Sequence, residues 1–157
     1  MSAAAAIVRE VTADDVPAVV AIVARVLAEH GIPFGVGSES DRQLSDLPAV
    51  YRDAGGRFWV AADGDGILGT CGVYPVGDGL LELRKMYLDA RARGLGLGQR
   101  QHAEAIAFAR ASGAHHLVLD TVEQMTRAIA FYERHGFVRD DAQIRGARCS
   151  RGYALAL

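Results

Sequence analysis

One short run of the chain has the residue types and spacing to hold a phosphate: Arg93-Gly94-Leu95-Gly96-Leu97-Gly98. It lies between a strand-like segment and a helix-like one. Glycines at every second position strip the backbone of side chains, and a helix starting straight afterwards points its free amides back into the loop. That combination suits a diphosphate. Two common phosphate loops fail on spacing. Reading G-x-G-x-x-G from Gly94 places the third glycine at position 99, which is Gln99, and no G-K-[ST] follows as in a Walker A loop. Arg91, Arg93 and Arg100 stand nearby as cations. Metal chemistry has no such support. Cys71 and Cys149 are far apart and outside any C-x-x-C pair, and the five histidines are scattered. Two isolated thiols fit a reducing compartment.

The elements that must position this loop follow from pattern. Ile7 to Val11 reads as a strand. Thr12 then caps a helix with Asp14 and Asp15 in its first turn, and Val16, Val19, Val20, Val23, Val26 and Leu27 form its apolar face. Gly31 and Pro33 end it. Asp41 to Asp53 reads as a second helix broken near Pro48. A meander follows: Arg57 to Ala62, the turn Asp63-Gly64-Asp65-Gly66, Ile67 to Val76, the turn Gly77-Asp78-Gly79, and Leu80 to Leu88. Leu97 to Ser112 is predicted helical and closed by Gly113, and His115 to Asp120 is predicted as a strand. Thr121 to Gln124 has capping-box form ahead of a helix carrying Met125, Ala128, Ile129 and Tyr132 on one stripe, ended by Gly136. Phe137 to Leu157 supplies two more strands. The order β-α-α-β-β-β-α-β-α-β-β describes an α+β fold with a mixed, mostly antiparallel central sheet flanked by helices.

Bulk properties narrow the function. A chain of 157 residues fits a single domain over 1–157 with a proper core. Half of the residues are hydrophobic, and the formal net charge of −2 argues against a non-specific nucleic-acid binder. Met1 to Ala6 is alanine-rich without a basic start or a long apolar region, so no signal peptide is expected. No stretch reaches the apolar length of a membrane span, and a cytoplasmic location is expected.

Context gives the glycine run its meaning. Met86-Tyr-Leu-Asp-Ala-Arg-Ala-Arg93-Gly-Leu-Gly-Leu-Gly98 resembles motif A of the GNAT N-acetyltransferase superfamily. The element Q/R-x-x-G-x-G/A is matched by Arg93, Gly96 and Gly98. Arg91, Gly94 and Gly96 also fit; the Arg93 register is preferred because it puts Gly98 at the helix start. Ala128-Ile-Ala-Phe-Tyr-Glu-Arg-His-Gly-Phe137 is similar to the family element A-x-x-F-Y-E-x-x-G-F. Close resemblance covers roughly residues 80 to 137.

The resemblance implies the GNAT fold, acetyl-CoA as co-substrate, and direct transfer in a ternary complex to a primary amine of a small molecule or peptide; the scattered histidines and cysteines add no metal. Backbone amides of Arg93, Gly94, Leu95, Gly96, Leu97, Gly98 and Gln99 would hold the pyrophosphate. Met86, Tyr87 and Leu88 would pair with the pantetheine arm as an added strand would, and an amide there could polarise the thioester carbonyl. Tyr132 matches the tyrosine that protonates the departing thiolate. Glu82 stands where several members carry a general base. Strand alternation places Glu82, Arg84 and Met86 on one face and Leu83, Lys85 and Tyr87 on the other. Glu82 could instead simply bridge to Arg84, and Arg84 could hold a substrate carboxylate. The loop from Phe34 to Leu47 and the tail near Arg145 to Arg151 should line the acceptor pocket. The resemblance also suggests a homodimer. Two departures stand out: Met125 occupies the place of a frequent asparagine, and Gln101-His102 replaces a Leu-Leu pair. A rival reading, a non-catalytic acyl-CoA-binding sensor, would keep the glycine run but need neither Tyr132 nor Glu82.

Overall fold

The computed structural model describes residues 5–157. The first four residues, on which part of the signal-peptide expectation rests, lie outside it. Seven strands form one sheet: β1 (Ile7–Glu10), β2 (Arg57–Asp63), β3 (Gly66–Gly77), β4 (Leu80–Leu88), β5 (His116–Thr121), β6 (Val138–Arg139) and β7 (Arg151–Ala156). Their spatial order is β1-β2-β3-β4-β5-β7-β6. Every pairing is antiparallel except β4 with β5. That exception follows from connectivity: the segment joining β4 to β5 contains a helix, and such a crossover returns the chain parallel.

Two helical layers cover the sheet. On one face lie α1 (Val16–Glu29) and the short helices α2 (Glu39–Arg42) and α3 (Ala49–Arg52). Val19, Ile22, Val23, Val26 and Leu27 of α1 pack there against Phe58, Val60, Ala62 and Tyr51. On the other face lie α4 (Leu97–Ala111) and α5 (Thr126–Arg134). Ala105, Ala109, Ile129 and Tyr132 pack there on Trp59, Cys71, Leu81, Leu83 and Tyr153. Burying each large aliphatic side chain stabilises the fold by about 1.5–3 kcal/mol. At the head of α1 the Asp15 carboxylate accepts from the Thr12 amide at 2.8 Å and from Arg9 at 2.7 Å, which ties the helix start to β1.

Three local expectations are corrected. The alternation along β4 breaks at Lys85, which adopts a left-handed φ of 53°. Thr70 pairs with Tyr87 and Gly72 with Arg84, so Lys85 and Met86 together oppose Cys71 as a β-bulge. Parity flips there. Leu81, Leu83 and Met86 point to the α4/α5 face, while Tyr87 packs on the α1 face. Arg84 also points to the α1 face, stacking on Tyr74 at 4.2 Å. Met86 therefore does not share a face with Arg84. The left-handed residue costs about 1–2 kcal/mol, and the Thr70 hydroxyl, donating to the Lys85 carbonyl at 2.6 Å, helps hold it. The second correction concerns Thr121, which ends β5 and caps nothing; α5 begins at Thr126 after Met125. The Thr121 hydroxyl contacts the Met125 sulfur instead, at 3.9 Å. Third, the broken helix over 41–53 is two separate one-turn helices, parted by a 3-10 turn and the cis Leu47–Pro48 bond.

Candidate active site

The site begins where the two parallel strands part. β4 and β5 pair only over Leu80–Glu82 with His116–Val118, although both strands continue. Among the described residues the β4 edge beyond Glu82 has no strand partner on that side; β5 ends at Thr121 and the chain leads on to α5. Two cavities open along this split, of about 480 Å³ and about 250 Å³. Met86, Tyr87, Met125 and Tyr132 line both, so the cavities meet at these residues.

The larger cavity is walled by Met86, Tyr87, Leu88, Arg93, Gly94 and Gly98 together with residues of α1 and α5. Gly94 and Gly96 take φ of 77° and 82°, a conformation that favours glycine. Gly96 is the N-cap of α4. The helical ladder opens with the Arg100 amide donating to the Gly96 carbonyl at 3.2 Å, so the amides of Leu97, Gly98 and Gln99 have no partner within the helix. Gly98 has an ordinary helical backbone and lies within van der Waals reach of Leu88 and Phe131. The Leu97 side chain is buried beneath the loop and Leu95 is half exposed, so both contribute only backbone here. Arg93 donates to Glu29 at 2.7 Å and to the Leu88 carbonyl at 3.2 Å. These features fit a diphosphate and an extended arm: unpaired amides at one end, and an unpaired strand edge at the other.

The smaller cavity is built from charged side chains. The Glu82 Oε1 atom accepts from Arg84 Nε at 2.5 Å, while Oε2 is buried with no hydrogen-bond partner and has Arg145 Nη1 at 3.6 Å. Burial raises the Glu82 carboxyl above its ordinary range; Arg84 and Arg145 pull it down, Asp120 pushes it up, and the net shift is upward. The Asp120 Oδ2 atom accepts the Arg145 and Gly146 amides, each at 2.7 Å. A second cluster lies beside these groups. Asp41, fully buried, takes a bidentate contact from Arg148 at 2.7 and 3.0 Å, an ion pair from Lys85, and the Gly35 amide at 2.9 Å. Burial alone would raise the Asp41 carboxyl, but Arg148 and Lys85 outweigh it and bring it down to about 2.

Tyr132 is 8% exposed and packs against Phe137 and Tyr153. Burial pushes its phenol up, with Tyr87 and Cys71 adding to the effect. The structure thus brings Glu82, Arg84, Met86, Tyr87 and Tyr132 around one opening. Leu95, Gly96, Leu97 and Gln99 lie past the cavity wall, in the turn into α4. The two departures also have places. Met125 sits at the junction of the cavities. Gln101 is buried with its amide 3.5 Å from the Tyr87 carbonyl, and His102 joins an aromatic cluster with Phe131, His135 and Phe137. Burial, with His135 adding, lowers His102 to about 4. The stretches around 41 and 148 carried a signal as pocket loops, but their mutual ion pair, bridging 107 positions, left no trace in local sequence.

Comparison with known proteins agrees with this architecture. The sequence profile of the acetyltransferase (GNAT) family matches residues 24–137. An uncharacterized N-acetyltransferase of Escherichia coli (strain K12), YjgM, is 32% identical over 139 residues, which is 86% of this chain and 83% of that protein. A GNAT-family acetyltransferase from Staphylococcus aureus Mu50 superposes with a TM-score of 0.89 at 20% identity, covering 97% and 99% of the two chains. The PaiA N-acetyltransferase of Thermoplasma acidophilum, solved in complex with coenzyme A, superposes with a TM-score of 0.75 at 15% identity, covering 97% and 99%. No helix among the described residues is long and apolar enough to cross a membrane. The chain belongs to the acetyltransferase (GNAT) family and is an acyltransferase of that family.

Proposed function

We propose that this protein transfers the acetyl group of acetyl-CoA to a primary amine by direct attack in a ternary complex. The observation that carries this reading is the meeting of the two cavities at Met86, Tyr87, Met125 and Tyr132. The larger cavity takes the donor and the smaller one the amine, so the reacting atoms meet at the seam. The unpartnered amides of Leu97, Gly98 and Gln99, with the glycine backbone before them, hold the pyrophosphate. The open β4 edge from Met86 to Leu88 pairs with the pantetheine arm, and a main-chain amide there faces the thioester carbonyl.

Glu82 takes the proton that the attacking amine must lose. Burial makes it a stronger base than an exposed carboxylate, and Arg84 holds the carboxylate in place through Oε1. As the carbon–sulfur bond breaks, Tyr132 gives its phenol proton to the leaving sulfur and is reprotonated afterwards. Buried as it is, this phenol stays loaded across the working pH range.

Incubation with acetyl-CoA and a panel of amines, following free-thiol release, tests the reading. Turnover is expected with at least one amine, and Tyr132→Phe should lose about tenfold to a hundredfold in kcat while still binding acetyl-CoA. Full activity in Tyr132→Phe would remove the acid role. Donor binding without turnover on any amine would leave a sensor in its place.

A further inference from the structure

We infer that Arg145 and Glu82 form a subsite for an amine that carries its own carboxylate, so that the acceptor is a free amino acid. The inference rests on the acetyl-transfer reading and narrows its acceptor. Four cations line the smaller cavity: Arg84, Lys85, Arg145 and Arg148. Three of them are spent. Arg84 donates to Glu82 at 2.5 Å, Arg148 grips Asp41 at 2.7 Å, and Lys85 pairs with the same Asp41. Arg145 alone among the four has no carboxylate within hydrogen-bond distance. Its guanidinium donates only to the neutral Gln143, at 3.0 Å to the carbonyl and 3.2 Å to Oε1, and its closest approach to Glu82 Oε2 is 3.6 Å.

Beside it, Glu82 Oε2 is an acceptor without a donor, on a side chain that is 5% exposed. Leaving such an atom unpaired is costly, so a ligand group that donates to it gains free energy. Arg145 and Glu82 Oε2 therefore face each other as a loose ion pair at 3.6 Å, too long for a hydrogen bond, so a ligand can insert between them and hydrogen-bond to both. An α-amino acid presents the mirror pattern, with its amine and carboxylate on one carbon. Its carboxylate completes the Arg145 guanidinium, and its amine reaches Oε2, where Glu82 takes the proton. The position is fixed in advance, because the Arg145 and Gly146 amides are both anchored on Asp120 at 2.7 Å.

Charge excludes the alternatives. The cavity's acidic lining residues are Glu39, Glu82 and Asp120, and Asp41 lies behind the wall against Lys85 and Arg148; with the exposed Glu39 paired to Arg42 at 2.7 Å, the four cations meet three carboxylates. A diamine or polyamine adds a second cation to a pocket already carrying a positive surplus. A peptide N-terminus brings no carboxylate beside its amine.

The test compares free amino acids, the corresponding carboxamides, and diamines as acceptors with acetyl-CoA. At least one amino acid should exceed its carboxamide by tenfold or more in kcat/KM, the scale of one charge-assisted hydrogen bond. Arg145→Gln should raise KM for that acid by about the same factor, leave KM for the carboxamide unchanged, and so abolish the preference. Arg145→Lys should restore part of it. Carboxamides or diamines as the better acceptors would overturn the subsite, as would an equal rise in KM for acid and carboxamide in Arg145→Gln with an unchanged melting temperature. Silence on every amine in a protein that binds acetyl-CoA would also overturn it. Failure to bind acetyl-CoA would instead overturn the donor reading beneath it.

Discussion

The two halves of the opening are built from different materials. The donor half is main chain: a strand edge, two left-handed glycines and the first turn of a helix, all within residues 86–99. Of the two arginines on its wall, Arg93 and Arg127, the first is committed to Glu29. The acceptor half is side chain. Asp41, Glu82, Lys85, Asp120, Arg145 and Arg148 come from four separate stretches and hold one another through ion pairs and hydrogen bonds. A main-chain site recognises what every member of a family must bind and tolerates changes such as Leu95 and Leu97. A side-chain site can be rewritten one charge at a time, which on the proposed reading makes it the place where acceptor choice resides.

Variants on the acceptor side should separate most sharply from donor binding. Glu82→Gln is expected to lower kcat by about 10²–10⁴-fold with acetyl-CoA affinity intact. In the wild-type enzyme the rate should rise with pH through the Glu82 value, which burial raises against Arg84 and Arg145 with help from Asp120; the variant should lose that acidic limb. A parallel loss of donor affinity in binding titrations would erase the division between the halves. Asp41→Asn tests the same half through stability. It leaves Lys85 and Arg148 as buried cations without a carboxylate, at a cost of about 3–5 kcal/mol in denaturant unfolding. The acid dependence has a definite sign. The Asp41 carboxyl is held at about 2 against an ordinary 3.8, so its contribution of about 2 kcal/mol is fully present above pH 4 and lost as pH falls through 2. Asp41→Asn should lack that slope in acid unfolding curves.

The donor half predicts smaller effects that distinguish its glycines. Gly96→Ala forces an L side chain into a left-handed turn and should cost about 1–2 kcal/mol in thermal or denaturant melts. Gly98→Ala meets only ordinary contacts in a helical backbone, so it should be neutral or stabilising by up to about 1 kcal/mol. Both should change KM for acetyl-CoA and leave KM for the amine alone. A shift in amine KM from either glycine variant would show that the halves are coupled.

Legibility in the sequence followed the same division. The glycine run, the helix after it and the Phe131-Tyr132-Glu133 element are contiguous, and local spacing carries their meaning. Strand boundaries in the meander were legible too, because turns such as Asp63 to Gly66 are short and rich in glycine. The bulge at Lys85 was not legible. Nothing about a lysine between Arg84 and Met86 announces a positive φ, and one such residue reverses the facing of everything after it. Asp41 resembled any acidic residue at the start of a short helix until the fold put Arg148 against it.

Sequence by itself therefore determined the element order, the family and the glycine loop at the head of α4, since each depends on residues close in the chain and on glycine's distinct conformational range. Only the tertiary structure decided which of four cations has no hydrogen-bonded carboxylate, which carboxylate oxygen lacks a donor, and on which face of β4 each side chain stands. Those properties belong to pairs of groups brought together across the fold, and the energy of a charge depends on its partner and its burial rather than on its neighbours in sequence.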